Sequence, residues 1–333
     1  MSTVANPAIK DRFTPKSFGE GVVRYAVIIA LAGVFAFFSF ATSTFLTSAN
    51  LASILVNNFT LLAIIAVAMT FAVSAGGIDL SVGTAVDFAS FAFVSLVLSG
   101  HSVGLAVIAA LASGAIVGLV NALLIAGVGI TPFLATLGTL FIGRSAQQLL
   151  TNGGNPVYLP QTGIPPLFGF IGHGHILGIP VPLVIVGLLI IAASTLLFST
   201  RFGRVVLAIG VQQSVARYSG LRISGHIGLV YVISGFVAAL AGIILTSTVS
   251  VYIPNSGNAF MLNAIGATFI GTTLSREGRP NVPGTVLGVL LLSIVANGLL
   301  LTGLSFYWQQ VGTGLLIFIV LAASFLNRSS RSD

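Results

Sequence analysis

The chain has 333 residues, 56% of them hydrophobic and 6% charged, with a mean hydropathy of +1.09 and a formal net charge of +7. That composition excludes an ordinary soluble domain, in which about a quarter of the residues are charged. There is no cysteine, which excludes a disulfide framework and a thiolate metal site.

Residues 1–24 form a polar tail of mixed charge. The apolar run behind it shows no small-residue cleavage site, so it reads as an uncleaved membrane span. Apolar segments then fall at 25–45, 51–73, 82–99, 103–127, 131–150, 179–199, 227–249, 259–274, 283–302 and 306–326. Most are near the ~20 residues a helical span needs. Period-2 alternation is absent, and lipid-exposed backbone admits only helices or closed barrels. The expectation is an all-α polytopic membrane protein with about ten transmembrane helices. The segment 259–274 is short and glycine-rich, and reads as re-entrant or broken rather than as a full crossing.

Charge tests the count. With the N-terminus inside, ten spans put four basic clusters on the cytoplasmic side: Lys10, Arg12, Lys16 and Arg24; Arg201, Arg204, Arg217 and Arg222; Arg276 and Arg279; Arg328 and Arg331. Of the 13 basic residues only Arg144 is left over. Both termini are then cytoplasmic, with a transmembrane domain at 25–326 and a short tail at 327–333. The link 151–178 lacks Lys, Arg, Asp and Glu and falls outside. It carries Pro156, Pro160, Pro165 and Pro166, with Pro180 just beyond, and reads as a structured cap or docking surface. The internal link 200–226 carries four arginines and a short helical stretch, Gln212 to Ser219, with Gly220 placed as its left-handed stop.

Enzyme chemistry finds little support. No G-x-x-x-x-G-K-[ST] string occurs, and the only lysines are Lys10 and Lys16, so the chain has no P-loop for ATP. The histidines lie at loops or span ends; His173-x-His175 is a weak metal pattern against an ordinary loop, and no catalytic constellation appears. What the spans offer instead is neutral hydrogen-bonding groups, among them Asn57, Asn58, Asn121, Thr136, Asn263 and Thr268. Such groups replace water at the hydroxyls of an uncharged polyhydroxylated solute without importing charge, and Phe133 can pack a sugar face. Against this stands the plainer reading that Asn and Thr glue helices, as Gly114 and Gly118 allow helices to approach. Two intramembrane charges, Asp87 and Arg144, are candidates for a solute contact or a water-mediated pair, or are structural residues near an interface. The stretch SAGGIDLSVGTAVDFA from Ser74 to Ala89 breaks two apolar runs at Gly76 and Gly77. With Ser81 and Gly83 it reads as a gate-lining turn near the cytoplasmic face, with Asp79 as the cap of the following helix.

Three motifs carry a resemblance. Gly76-Gly-Ile-Asp-Leu-Ser-Val-Gly83, then Arg201-Phe-Gly-Arg204 with Ala208-Ile-Gly210 and Ala216-Arg-Tyr-Ser-Gly-Leu221, then Pro283-Gly-Thr-Val-Leu-Gly288, stand in the order found in permease subunits of ribose-type ATP-binding cassette importers. The chain resembles that family from about residue 45 to 325. The resemblance implies a permease of the bacterial inner membrane that dimerises, as homodimer or with a paralogue. It receives a pentose, a hexose or a related molecule such as autoinducer-2 from a solute-binding protein. ATP and Mg bind a separate cytoplasmic ATPase, so this chain holds no cofactor. Within the family the loop after the sixth span, here with Arg201, Gly203 and Arg204, carries the coupling helix, which maps to about Gly210–Gly220 and includes Gln212, Gln213, Ala216 and Ser219. Gln212 and Gln213 replace the family's Asn and Glu, and Met261-Leu-Asn-Ala-Ile-Gly266 replaces a run with a carboxylate, which points to a heterodimeric pore. The rival from another class is a stand-alone channel or an ion-coupled carrier; a neighbouring ATPase gene discriminates between them.

Overall fold

The computed structural model describes residues 26–160, 163–275 and 278–329. The N-terminal tail with its basic cluster, Arg276, and Arg331 in the last residues lie outside that set.

Ten long helices follow the ten apolar segments: α1 (Ala26–Ala41), α2 (Ser48–Ser74), α3 (Val82–Leu98), α4 (Val103–Val128), α5 (Pro132–Leu150), α7 (Val181–Phe198), α10 (Ile223–Val249), α11 (Asn258–Thr272), α12 (Val282–Leu301) and α13 (Phe306–Ser329). Short elements fill two links. Between α5 and α7 lie β1 (Val157–Tyr158), α6 (Pro166–His173), β2 (His175–Ile176) and β3 (Ile179–Pro180). Between α7 and α10 lie α8 (Arg201–Val211) and α9 (Gln213–Tyr218); β4 (Val251–Tyr252) follows α10. The fold is all-α and polytopic. By length and composition α2, α4, α7, α10 and α12 each suffice to cross a membrane, and α1 and α3 are shorter apolar helices.

At the centre stands α10, packed on α2, α3 and α4, while α2 also packs on α11 and α12. From Thr60 to Ser74 nearly every residue of α2 is buried, as suits a helix apolar all round. With no hydrophobic drive between helices in lipid, contact depends on small residues and internal hydrogen bonds. Gly114 and Gly118 on α4 face Gly235 and Tyr231 on α10 so closely that a Cβ at either would strike α10 backbone. The spacing read from sequence is thus a true helix contact. Thr70 on α2 meets Thr285 on α12 at 2.9 Å, and the amides of Asn50 and Asn297 exchange bonds of 3.1 and 3.0 Å.

The segment expected to be re-entrant or broken is one continuous helix, α11. At ~1.5 Å per residue its 15 residues span only about 22 Å, less than the ~30 Å apolar core. The reason lies at its start. Gly257 packs on Gly83 at the beginning of α3, so the chain enters the protein before the helix begins.

In the link, residues 151–160 and 163–178 pack against the end of α10 through α6 and β4. β1 pairs antiparallel with β4, β2 pairs with β3, and the ring of Phe168 on α6 stacks on Phe93 at 5.1 Å. His173 Nε2 lies 3.1 Å from the Thr248 carbonyl.

Candidate translocation site

Between α2 and α3 the chain leaves the helix by a Schellman turn. Gly76 takes φ +84°, its N–H bonds Val73 O at 3.0 Å, and Gly77 N–H bonds Ala72 O at 3.0 Å. Gly77 sits against Pro132 and the hydroxyl of Tyr231, with no room for a Cβ. Residues 75–81 then run into the protein. Asp79 is 1% exposed, and its Oδ1 accepts from Ser81 N at 3.0 Å and Ser81 Oγ at 2.6 Å. Its Oδ2 accepts from Ser234 Oγ on α10 at 2.7 Å. The chain of donors continues outward: Asn121 Nδ2 on α4 donates to Ser81 Oγ at 2.6 Å, and Thr139 Oγ1 on α5 donates to Asn121 Oδ1 at 2.6 Å.

This corrects one expectation. Asp79 closes a turn and bonds α10 rather than capping α3, whose N-cap is Ser81 with no side-chain cap bond. The turn itself lies beside α8, with Gly76 against Gly210, while the Asp79 carboxylate reaches Ser234, eleven residues into α10, about 16 Å along it. A carboxylate with three protein donors pulls the segment to that depth, where an unpaired polar group would be costly.

One and a half turns along α3, Asp87 is fully buried, and its Oδ1 accepts from Gly257 N at 2.8 Å and Ser256 Oγ at 3.0 Å. It pins the segment that leads into α11. Gln147 on α5 is 1% exposed and takes Asn255 N at 2.8 Å and Tyr252 Oη at 3.1 Å on its Oε1. Asp87 also interacts with the side chain of Gln147, and Asp87 Oδ2 and Gln147 Nε2 find no other partner among the described residues. Arg144 is exposed on α5, and among the described residues no ion pair joins it to Asp87.

The remaining candidates divide. Thr136 donates to Pro132 O at 2.9 Å and lies 3.3 Å from Ile78 O, so it braces the break; Thr268 donates to Ala264 O at 2.9 Å against α2. Asn57 donates to Ser53 Oγ at 2.9 Å within a π-helical turn of α2 that also holds Asn58, and Asn263 is half-buried on α11. Phe133 is 51% exposed. Asp79, Ser81, Asn121, Thr136 and Thr139 therefore form one cluster, whereas Asn57, Asn58, Asn263 and Thr268 are scattered. Ser234, Tyr231 and Ser256 escaped the sequence reading. An isolated serine or tyrosine in an apolar helix is the only sign they give.

On α5 the two faces differ. Ala135, Thr136, Thr139, Gly143 and Gln147 are buried, while Phe133, Leu134, Phe141, Ile142 and Arg144 are exposed. At 19 residues it is long enough to cross a membrane, but it is absent from the helices apolar enough to do so. A groove of about 480 Å³ runs between it and α4, with Thr84, Thr139 and Gly143 in its walls.

At the loop end, α8 begins at Arg201 under the Thr200 cap, with Gly203 buried against the end of α7 and Arg204 Nη1 3.3 Å from Ser199 O. Its Gly210 packs backbone to backbone on Ser74 and Gly76. Gln212 separates the two helices in extended conformation, Gln213 opens α9, and Ala216 is buried while Ser219 donates to Val215 O at 3.0 Å. Gly220 ends the helix at φ +76°, with its N–H on Arg217 O at 3.0 Å. The short helix and its glycine stop thus lie where the sequence put them.

Long glycine-packed helices, an internal polar seam and an arginine-bearing helical loop against the break define a polytopic membrane permease. Residues 50–321 match the family described as "Branched-chain amino acid transport system / permease component", and the chain belongs to that family. It is 35% identical to the ribose import permease protein of Escherichia coli (strain K12) over 88% of this chain and 91% of the relative. It is 36% identical to the ribose import permease protein of Bacillus subtilis (strain 168), over 78% and 79%. It is also 32% identical to an autoinducer 2 import system permease protein of Yersinia enterocolitica, over 80% of each. No solved structure matches the chain.

Proposed function

We propose that this chain is the membrane permease subunit of an ATP-binding cassette importer. Its cargo is a small neutral polyhydroxylated solute, a sugar or a near relative such as autoinducer 2. It sits in the bacterial cytoplasmic membrane with both termini inside, and a second copy or a paralogue completes the path. A separate cytoplasmic ATPase docks on α8 and α9, and a solute-binding protein docks on the ordered cap of β1, β4 and α6.

The observation that carries this reading is the pair of surfaces joined by the break. Gly76 meets Gly210 of the loop, and Asp79 and Ser81 reach α5 through Asn121 and Thr139. A push on the arginine-bearing loop thereby reaches the least apolar long helix, whose uncovered face carries Phe133, Phe141 and Arg144. Stand-alone carriers need no such connection.

Reconstitution tests it. Proteoliposomes holding this chain, the ATPase subunit and the binding protein are expected to take up labelled ribose, or another sugar from a panel, only with ATP. Uptake by the permease alone along an ion gradient would overturn the proposal.

A further inference from the structure

The bundle end that carries the arginine-bearing loop holds a cavity of about 440 Å³. Thr131 and Pro132 at the start of α5, Gln213 and Arg217 on α9, Ser224 on α10, and Tyr231 deeper on α10 contribute to its walls. The Tyr231 side chain is 1% exposed, and its hydroxyl, beside Gly77 and Pro132, has no hydrogen-bond partner. A buried hydroxyl is rarely left so among the residues of a folded chain, and a water or a ligand can accept from it.

The C-terminal ends of α2 and α4 reach the cavity at Gly76 and Gly129, but carbonyls there already accept from Gly76 N, Gly77 N, Ile130 N and Ser224 Oγ, and the ends left uncapped are positive. The cavity is bordered by the N-terminal ends of two long helices, α5 with 19 residues and α10 with 27, whose N-cap residues Thr131 and Arg222 make no side-chain cap bond. Helix starts present free N–H groups and partial positive charge. Arg217 adds a full charge. Asp79 and Asp87 are the only acidic residues among the described ones; neither lines the cavity, and both are held elsewhere.

We propose that this cavity binds a phosphoryl group, carried by a phosphorylated sugar or by an anionic lipid headgroup. Arginine, two helix starts, and hydroxyl and amide donors suit a tetrahedral dianion better than a neutral sugar. The walls belong to different moving parts, since Gln213 and Arg217 stand on the loop helix and Thr131 begins α5. A bound phosphoryl group ties the two together and holds the loop in its present position. If the loop couples ATP hydrolysis to transport, as proposed above, occupancy slows uptake.

Binding is measured on the purified full chain by thermal shift and microscale thermophoresis, which do not depend on transport. The probes are ribose 5-phosphate against ribose, and dihexanoyl phosphatidylglycerol against dihexanoyl phosphatidylcholine. Saturable stabilisation by ribose 5-phosphate and not by ribose assigns a free phosphosugar. Stabilisation by the glycerol lipid and not by the choline lipid assigns a headgroup. Tyr231→Phe keeps the ring, and Arg217→Gln changes an exposed side chain; each is expected to weaken binding about tenfold or more, as loss of a bond to a charged group does. No saturable binding, or binding by both variants as tight as that of the unaltered chain, overturns the proposal. So does complete loss of binding on adding the ATPase subunit, which would make the cavity that subunit's seat.

Discussion

Two aspartates separated by eight positions do different work. Asp79 takes Ser81 and Ser234 on separate oxygens, so removing it leaves the Ser81 N–H and the Ser234 hydroxyl without their acceptor, while Ser81 Oγ keeps its bond from Asn121. At about 1–3 kcal/mol for each unpaired group, Asp79→Ala is expected to lower the melting temperature of the purified chain markedly. Asp79→Asn should cost less, because the amide still accepts from Ser81 and the Ser234 hydroxyl can turn to accept. Equal melting of all three proteins would mean that the carboxylate is not holding the turn. Asp87 anchors the start of α11 through Gly257 N–H. We expect Asp87→Ala to reduce both stability and uptake, while Asp87→Asn, which keeps an acceptor, retains most of the melting temperature. Full stability with lost uptake in Asp87→Ala would instead return this residue to the solute.

At the scale of elements, the break and the loop form one joint. The sequence shows that Gly210 precedes a short helix, and the structure adds why it must be glycine: a Cβ there would strike the Ser74 carbonyl. Gly210→Val is therefore expected to leave the chain membrane-inserted yet separate ATP hydrolysis from uptake, read as sugar moved per ATP in proteoliposomes. An unchanged ratio would mean that the joint transmits nothing. Apolar segmentation located the ten long helices, because lipid forces each span to declare its length in the sequence. The glycine stop at Gly220 and the pair Gly114 and Gly118 were legible for the same reason, being local. The remote partners of the break were not. Asp79 finds Ser234 across 155 positions, and Ser256 finds Asp87 across 169. No periodicity encodes which polar residue of a distant apolar helix will be the partner. The helix cap expected at Asp79 failed on that point, since a local rule was applied to a residue whose partner is remote.

At the scale of the whole molecule, the face of α5 leaves a charge uncovered by the chain. On α5 the exposed face combines Phe133, Phe141 and Ile142 with Arg144, which lies six residues from the end at Leu150, or about 9 Å along the helix. An arginine facing hydrocarbon costs about 2.5–3.5 kcal/mol even on the lenient insertion scales. A water-filled path or a second permease subunit removes that cost, and a dimer with α5 at its axis supplies both. The chain has no cysteine, so Arg144→Cys introduces one thiol. In native membranes holding the complete transporter, that variant is expected to react with a charged, membrane-impermeant thiol reagent more slowly when sugar is in transit. A cysteine-pair linker should join two copies if the pore is a homodimer. If the pore is a heterodimer, the linker should join this chain to a paralogue bearing a cysteine at the aligned position. Failure of both links, with ATP-driven uptake intact, would show that the α5 face meets lipid, and the dimer axis would have to be sought on another helix.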